Sequence, residues 1–552
     1  MHRTPDDTLT SPPKPAPPSA SSAPAPPPPP SAAPADQNLG HYKFLASLVL
    51  FSLVALLLVA PFFRLDLSPL VLALVGLATT FMTLRALNTL RLAYRIITTD
   101  RRYRRLAAAA QSESAAQSQI AAPSPSAPQL TWQHVIVVPI YKETVETIGH
   151  TIGLLSAHRP ARSNYVVLCA HEAKDPDHDD KFRRISAQFS GSFVDLIKSV
   201  HTLAPGECPG KAPNVNCAVR NYAARNYAAA QAQQAAPAAT FAHTLVTVID
   251  CDTRIDERYF QELERQAAAV PDPHAVVFAA PTFFESNRYD VPTFVRAMDD
   301  LWCLGAAANI FSNSALGFPI SNYSLSLQML DEMGYWDVDY DAVGEDFHTF
   351  VKASVRLKKD VRIVPIAVPM NNDDVEGHDY RKSLLARYSQ SMRHALGISS
   401  TSYLLRHLRE QPWQPRKWLL FILCLEAHTF PMLYVSAALY ALLTAWLGNF
   451  NTVFAGRSVE LLAGLYFTLA AATNICFLTF KLLQYYIRHR IFQKPLNLKR
   501  ELPADAVDIV VQPICGLSYF ILPFGFRMLQ NLVYWRNRQY YNKFEEGARK
   551  YS

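Results

Sequence analysis

Apolar residues come in two kinds of run along this chain. Five runs are long and nearly free of charge: 44–63, 68–84, 418–447, 461–480 and 509–526. About 20 residues at a rise of about 1.5 Å each cross a hydrocarbon core of about 30 Å as an α-helix, so each run predicts a membrane span. Arg64-Leu65-Asp66 joins the first two tightly and predicts a helical hairpin across the membrane. A buried core hairpin in a soluble protein is the alternative for that pair. Glu426, His428 and Pro431 inside the third run predict a kink there or a start in the interface. Pro513, Gly516, Pro523 and Gly525 in the last run predict a broken or re-entrant segment.

The other runs are short and β-branched. Residues 134–138, 165–169, 245–249 and 275–279 read as strands, with helical spacing over 144–158 and 211–227. Continuous apolar strands separated by helices predict a mostly parallel α/β sheet covered by helices on both faces. The predicted order is a disordered Pro-rich tail (1–41), two transmembrane helices (42–90), a basic interface and linker (91–130), and an α/β domain (131–400). After these come an interface segment (401–417), a C-terminal transmembrane region (418–530) and a basic tail (531–552). Residues 106–130 read as linker, and the Ala/Gln-rich stretch 227–240 reads as an insertion.

Charge adds orientation. Arginines crowd the segment from Arg85 to Arg105, which the positive-inside rule places in the cytosol together with the α/β domain. The Pro-rich start argues against a cleavable signal peptide. Lys plus Arg number 53 against 46 Asp plus Glu, a net charge of +7, and no basic stripe is concentrated between aromatics. That balance speaks against a nucleic-acid partner. The 8 cysteines include no C-x-x-C pair, which argues against a disulfide framework or structural zinc and predicts free thiols in a reducing compartment.

Ligands of parallel sheets sit at the carboxyl ends of strands, so the residues just after each strand carry the chemical signal. Pro139-Ile140-Tyr141-Lys142-Glu143 comes after the first, and His171-Glu172 after the second. Asp250-Cys251-Asp252 comes after the third. Two carboxylates two residues apart repel unless a hard divalent cation lies between them, and such a cation also takes phosphate oxygens. A solvated turn with Asp252 as helix cap is the competing reading. Gly344-Glu345-Asp346 offers a general base, or simply a helix N-terminus. Gln390 and Arg393 stand at i and i+3 on a predicted helix, where an arginine can meet a diphosphate or remain on the surface.

In this order the motifs resemble the family 2 glycosyltransferases, in particular the membrane-embedded synthases related to cellulose, chitin and hyaluronan synthases. The resemblance covers about residues 135–397. It implies a GT-A-type nucleotide-sugar-binding domain flanked by transmembrane helices, and inverting transfer from a nucleotide-diphosphate sugar, in the first instance a UDP-sugar. Pro139, Tyr141 and Glu143 resemble the nucleotide-binding turn. Glu172 or Asp175 stands in for the usual aspartate at the second strand end. Lys211 in Gly210-Lys211-Ala212-Pro213-Asn214-Val215-Asn216 is similar to the lysine that meets the diphosphate, with Asn216 beside it. Asp250 and Asp252 resemble the D-x-D pair that holds Mg²⁺ or Mn²⁺, and Ser321 and Asn322 fall where the family contacts the acceptor. Glu345 and Asp346 resemble the T-E-D motif, with Asp346 the implied base; Gln390, Arg393 and His394 resemble Q-x-x-R-W. Gly344 replaces the threonine and His394 the tryptophan, which weighs against long-chain polymerisation more than against sugar transfer.

The implied partners are a nucleotide sugar, a glycan or lipid acceptor and the membrane, with no nucleic acid. The implied setting is a multi-pass protein of the plasma membrane or Golgi. Two readings compete. A phosphatase-type hydrolase also opens on Asp-x-Asp, but it wants Thr or Val where Arg254 stands. A membrane scaffold without activity would have no need to keep Asp250, Asp252, Asp346 and Arg393 together. Processive export and single sugar addition both stay open.

Overall fold

The computed structural model describes residues 37–117, 130–232, 241–339, 342 and 344–534, within one compact unit. The expected tail before residue 37, linker residues 118–129, insertion residues 233–240 and basic-tail residues 535–552 lie outside the described residues.

Nine strands form two sheets: β1 (Gln133–Ile140), β2 (Tyr165–Glu172), β3 (Asp195–His201), β4 (Thr244–Val248), β5 (Val276–Ala279), β6 (Thr282–Phe284), β7 (Tyr323–Ser326), β8 (Arg362–Pro365) and β9 (Met370–Asn372). The large sheet has the order β3-β2-β1-β4-β7-β5-β8, and β6 pairs with β9. The pairs β1–β2, β1–β4, β2–β3 and β5–β8 are parallel, while β7 runs antiparallel to both β4 and β5. This is the mostly parallel α/β sheet that the strand pattern predicts. Alternation along the strands builds two cores, since successive side chains point to opposite faces. Val135, Val137, Val166, Leu168, Val246 and Val248 enter one; Ile136, Val138, Val167, Cys169 and Leu245 enter the other.

β3, β7 and β8 were not legible as strands, each for a physical reason. β3 is the edge strand, and its sequence Asp-Leu-Ile-Lys-Ser-Val-His is only part-buried. β7 and β8 have 4 residues each, too short to show a period. The antiparallel β7 matters most for function. Its start, after Ser321 and Asn322, lies beside the carboxyl end of β4, because Tyr323 pairs with Val248.

Among the described residues, four helices are long and apolar enough to cross a membrane: His41–Phe63, Ser68–Ala109, Arg457–Ile491 and Leu498–Val533. The pair Pro415–His428 and Phe430–Trp446 passes that test together but is bent by 57°. The bend falls at Thr429, between the expected marks His428 and Pro431. The second helix runs on to Gln117, so residues 106–117 are helical where linker was expected. Their alanines are the strongest helix formers, and nothing in Leu-Ala-Ala-Ala-Ala-Gln-Ser-Glu-Ser-Ala-Ala-Gln breaks the helix. The expected break after residue 509 is instead a π-helical stretch, Gly516–Ile521, inside a run that continues to Tyr534. Pro503 and Pro513 are accommodated within its first part. Two of these long helices also pack on the sheet. Leu92, Ile96, Phe480 and Leu483 join the core on one face of the sheet.

Candidate active site

Lys211 is the first residue of the helix Lys211–Ala232, and it gathers the site. Its Nζ lies 2.8 Å from Asp250 Oδ1, 2.5 Å from the Ser321 carbonyl oxygen and 3.3 Å from Glu345 Oε1. Burial alone would lower the lysine's proton affinity, but Asp250, Glu345 and Asp346 together raise it above the ordinary value. The ammonium therefore stays charged among three carboxylates supplied by two separate parts of the chain, the end of β4 and the start of the helix Glu345–Arg356.

Ser321 holds a left-handed backbone conformation, φ 57°, which is strained for a residue with a side chain. That turn points its carbonyl at Lys211 and its N–H at Asp346 Oδ2, 2.7 Å away. Asp346 Oδ1 accepts a second N–H from Phe347 at 2.8 Å. Glu345 and Asp346 occupy the first turn of the helix Glu345–Arg356, where the helix dipole favours negative charge. Gly344 precedes them, and a Cβ there would meet only Asp346 Oδ1 at 3.9 Å.

Asn322 is fully buried and its amide is saturated. Oδ1 accepts from the Asp250 N–H and from Thr253 Oγ1, both at 3.1 Å, and Nδ2 donates to Thr282 Oγ1 at 3.2 Å and Asn372 Oδ1 at 3.1 Å. An amide has two donors and two acceptor sites, so none is left for another molecule. Asn322 thus positions Asp250. Asn372 reaches Asp250 Oδ2 at 3.4 Å.

Burial, then the charges of Asp250 and Asp373, raises the Asp252 carboxyl to about 7. Glu345 is also raised to about 7, by burial first, with Lys211 opposing and Asp346 and Asp250 adding to the rise. The native chain therefore keeps a proton on Glu345 that an unfolded chain releases above about 4.5. More protons bound in the native state mean that stability falls as pH rises from about 4.5 to about 7 and then levels. Glu345→Gln should flatten that window when unfolding midpoints are compared across pH. An undiminished slope would show that Glu345 is not its source.

The other expected residues take these places. Pro139 lies in β1 and Tyr141 just beyond it; the Tyr141 N–H donates to Glu143 Oε2 at 2.6 Å, and Lys181 Nζ donates to the Tyr141 carbonyl at 3.0 Å. Glu172 ends β2 and is buried. Asp175, also buried, holds Lys181 at 2.7 Å. Asn216 lies on the Lys211 helix; its Oδ1 and that of Asn214 are buried without a hydrogen-bond partner. Gln390, Arg393 and His394 lie on the helix Tyr380–His394. There Gln390 Oε1 accepts from Arg387 Nη1 at 2.7 Å, Arg393 is exposed, and His394 packs edge-on against Trp302 with ring centroids 4.7 Å apart. Arg387, fully buried and 3.0 Å from Asp299, is the arginine that ties this helix to the body.

Asn372, Asp373, Thr253 and Arg387 were missed from sequence. The run Asn371-Asn372-Asp373-Asp374 after an apolar segment was the available signal. Among the described residues, no group of three or more His, Cys, Asp or Glu side chains is arranged to hold a metal ion.

Residues 245–483 match the family described as glycosyl transferase family group 2, a stretch that opens on β4 and includes Asp250, Asp252, Glu345, Asp346 and the Tyr380–His394 helix. No curated protein matches the chain. Among solved structures, the mannosyltransferase PcManGT from Pyrobaculum calidifontis in complex with GDP-Man and Mn²⁺ is similar at 14% identity and TM-score 0.40, over 73% of this chain and 98% of that one. TarS 1–349 of S. aureus in complex with UDP-GlcNAc is similar at 13% identity and TM-score 0.29, over 58% of this chain and 90% of that one. The chain is a glycosyltransferase. The stretch similar to the family group 2 model lies on a mostly parallel α/β sheet, and among the described residues four helices are long and apolar enough to cross a membrane.

Proposed function

We propose that the protein transfers a sugar from a nucleotide-diphosphate sugar, a UDP-sugar in the first instance, to a glycan or lipid acceptor at the cytosolic membrane face. The observation that carries this is the convergence of Asp250, Glu345 and Asp346 on Lys211, at the end of β4 where such sheets bind ligands. The nucleoside lies against Tyr141, Glu143 and Glu172. Lys211 meets the diphosphate from the first turn of the helix that also carries Asn214 and Asn216.

Asp250 and Asp252 would hold Mg²⁺ or Mn²⁺. Two carboxylates fit a cation that takes its other oxygens from the substrate's phosphates; burial first, and then the charges of Asp250 and Asp373, raise the proton affinity of Asp252. When bound, the ion neutralises the diphosphate leaving group. Asp346 accepts the proton of the attacking hydroxyl as the anomeric carbon inverts. One base suffices for this single displacement, unlike the paired carboxyls of glycoside hydrolases. Arg393, at the exposed end of its helix, adds positive charge toward the diphosphate.

The acceptor side runs past Ser321 to Trp302 and His394. Trp302 Nε1 and His394 Nδ1 are buried without partners. Burial and the charges of Arg387 and Arg393 keep His394 neutral. An unmet N–H donor next to an imidazole nitrogen complements a hydroxyl, which donates and accepts. This is a synthase-like arrangement; with His394 closed over Trp302 it favours short products. The arginine-rich flank and the long apolar helices support a multi-pass protein, which we assign to the plasma membrane or Golgi.

Membranes containing the full chain, incubated with a panel of radiolabelled UDP- and GDP-sugars and Mn²⁺, should label a glycan or lipid fraction from one donor. EDTA should lower that transfer by about 100-fold or more, and added Mn²⁺ or Mg²⁺ should restore it. No labelled product from any donor overturns the transferase reading. Full activity in EDTA overturns the cation.

A further inference from the structure

Tyr323 opens β7 and is fully buried on the sheet face that carries Val246 and Val248. Its hydroxyl lies between two groups. Trp336 Nε1 donates to Tyr323 Oη at 2.7 Å, and Tyr323 Oη donates to Glu345 Oε1 at 3.4 Å. An indole N–H can only donate, so it fills an acceptor site of the hydroxyl and leaves the hydroxyl proton for Glu345. Lys211 Nζ approaches the same Glu345 oxygen at 3.3 Å. The line from Trp336 through Tyr323 therefore ends on a carboxylate that shares Lys211 with Asp250.

The chain bends sharply to bring Trp336 to this point. After the helix Leu327–Met333, Gly334 and Tyr335 both hold left-handed backbone conformations, φ 78° and 58°. The second is strained, because a tyrosine carries a Cβ. The helix Glu345–Arg356 clamps this turn on both sides of Trp336. Lys352 Nζ donates to the Tyr335 carbonyl and to Asp337 Oδ1, both at 2.7 Å, and His348 Nε2 lies 3.0 Å from Asp337 Oδ2. The Val338 carbonyl accepts the Cys208 N–H at 2.7 Å, just before Lys211. Residues 335–338 thus touch β7, the helix that opens on Glu345 and Asp346, and the approach to Lys211.

We propose that Tyr323 is a positioning residue for donor binding: its hydroxyl, oriented by Trp336, holds the Glu345 carboxylate and so frees the Lys211 ammonium for the diphosphate. This role presupposes that Lys211 meets the diphosphate. A buried carboxylate oxygen left without a donor costs its full desolvation, so Glu345 draws on whatever donors lie in reach. With the Tyr323 hydroxyl on Oε1, part of that demand is met without Lys211. Without it, Lys211 is the remaining partner of that oxygen among the described residues, and the ammonium is drawn toward Glu345. The diphosphate then competes with a tighter internal ion pair. Asp346 is held by the Ser321 and Phe347 N–H groups and does not depend on Tyr323. The role therefore lies in binding the donor and not in moving the acceptor proton.

Nucleotide binding reads this role directly. UDP, GDP, ADP, CDP and dTDP are titrated with Mn²⁺ into the detergent-solubilised full chain, and steady-state transfer is followed in parallel. Tyr323→Phe removes the hydroxyl and keeps the ring. It should weaken nucleotide binding and raise donor KM by about tenfold, with kcat lowered by less than about threefold. A purely structural loss would lower the number of working molecules, and with it the maximal rate, at unchanged Kd and KM. Trp336→Phe alone should weaken binding by about threefold, and it should add nothing in the Tyr323→Phe background because it acts through that hydroxyl. Unchanged Kd in Tyr323→Phe, or full additivity of the two substitutions, overturns the role of Tyr323 alone. A wild-type chain that binds none of the nucleotides overturns the reading of Lys211 and this role together. Should Tyr323→Phe fail to fold, Trp336→Phe decides by the same Kd criterion.

Discussion

Asp346→Asn should lower sugar transfer by about 10²–10⁴-fold while nucleotide-sugar binding persists. The substitution keeps the shape of the side chain and removes its ability to take a proton. One amide oxygen can still accept the Ser321 or Phe347 N–H, which the carboxylate receives at 2.7 and 2.8 Å. Lys211 keeps its contacts with Asp250 and Glu345, so the diphosphate end of the site survives. Burial is the largest influence on Asp346 and raises its carboxyl above the usual range, with Lys211 and the two backbone N–H groups opposing. A base must be ionised to act, so the acid limb of kcat should lie above the ordinary aspartate range in the wild type. That limb should be absent from the residual rate of the variant. Steady-state transfer across pH, paired with equilibrium binding of the donor, separates the two effects. Wild-type transfer by Asp346→Asn rules out the assignment; lost donor binding moves Asp346 from base to binding residue.

The strand-end chemistry was legible because its residues are local. Asp250 and Asp252 come directly after an apolar strand, and Glu345 and Asp346 open a helix, so each was visible without knowing the fold. The device that brings them together was not legible. The convergence depends on β7 running antiparallel beside β4, and 4 residues of Tyr-Ser-Leu-Ser carry too little pattern to show it. The role of Asn322 was hidden for the same reason, since its four partners come from three other segments. The membrane runs were readable from length and apolarity. Their continuation onto the sheet was not, because Leu92, Ile96, Phe480 and Leu483 lie in segments that read as basic or span-like. Arg387 was passed over in favour of Arg393 because burial, not motif position, distinguishes them.

Asp508→Ala should destabilise the folded chain by about 3–5 kcal/mol, the cost of leaving buried positive charge uncompensated. Asp508 accepts from Arg296 Nε and Nη2 at 2.9 to 3.1 Å and from Arg288 Nη2 at 3.1 Å. Arg288 in turn holds Asp300 through both nitrogens at 2.7 and 2.8 Å, and Asp505 at 3.1 Å. Lys481 closes the network on Asp300 at 2.6 Å and Asp505 at 3.2 Å. Arg288, Arg296 and Asp300 lie between β6 and β7, whereas Lys481, Asp505 and Asp508 lie on two helices long and apolar enough to cross a membrane. Three cations balance three anions, so the network is tolerable only as a set. It joins the domain to these helices beside the apolar contacts that Phe480 and Leu483 make with the sheet's core. Arg296→Met combined with Asp508→Leu should therefore recover much of the loss, because an apolar pair of similar volume replaces the charges it removes. Denaturant titration of the detergent-solubilised chain reads both variants. A single substitution costing under about 1 kcal/mol would mean that water already reaches these groups and that the two parts are held together elsewhere.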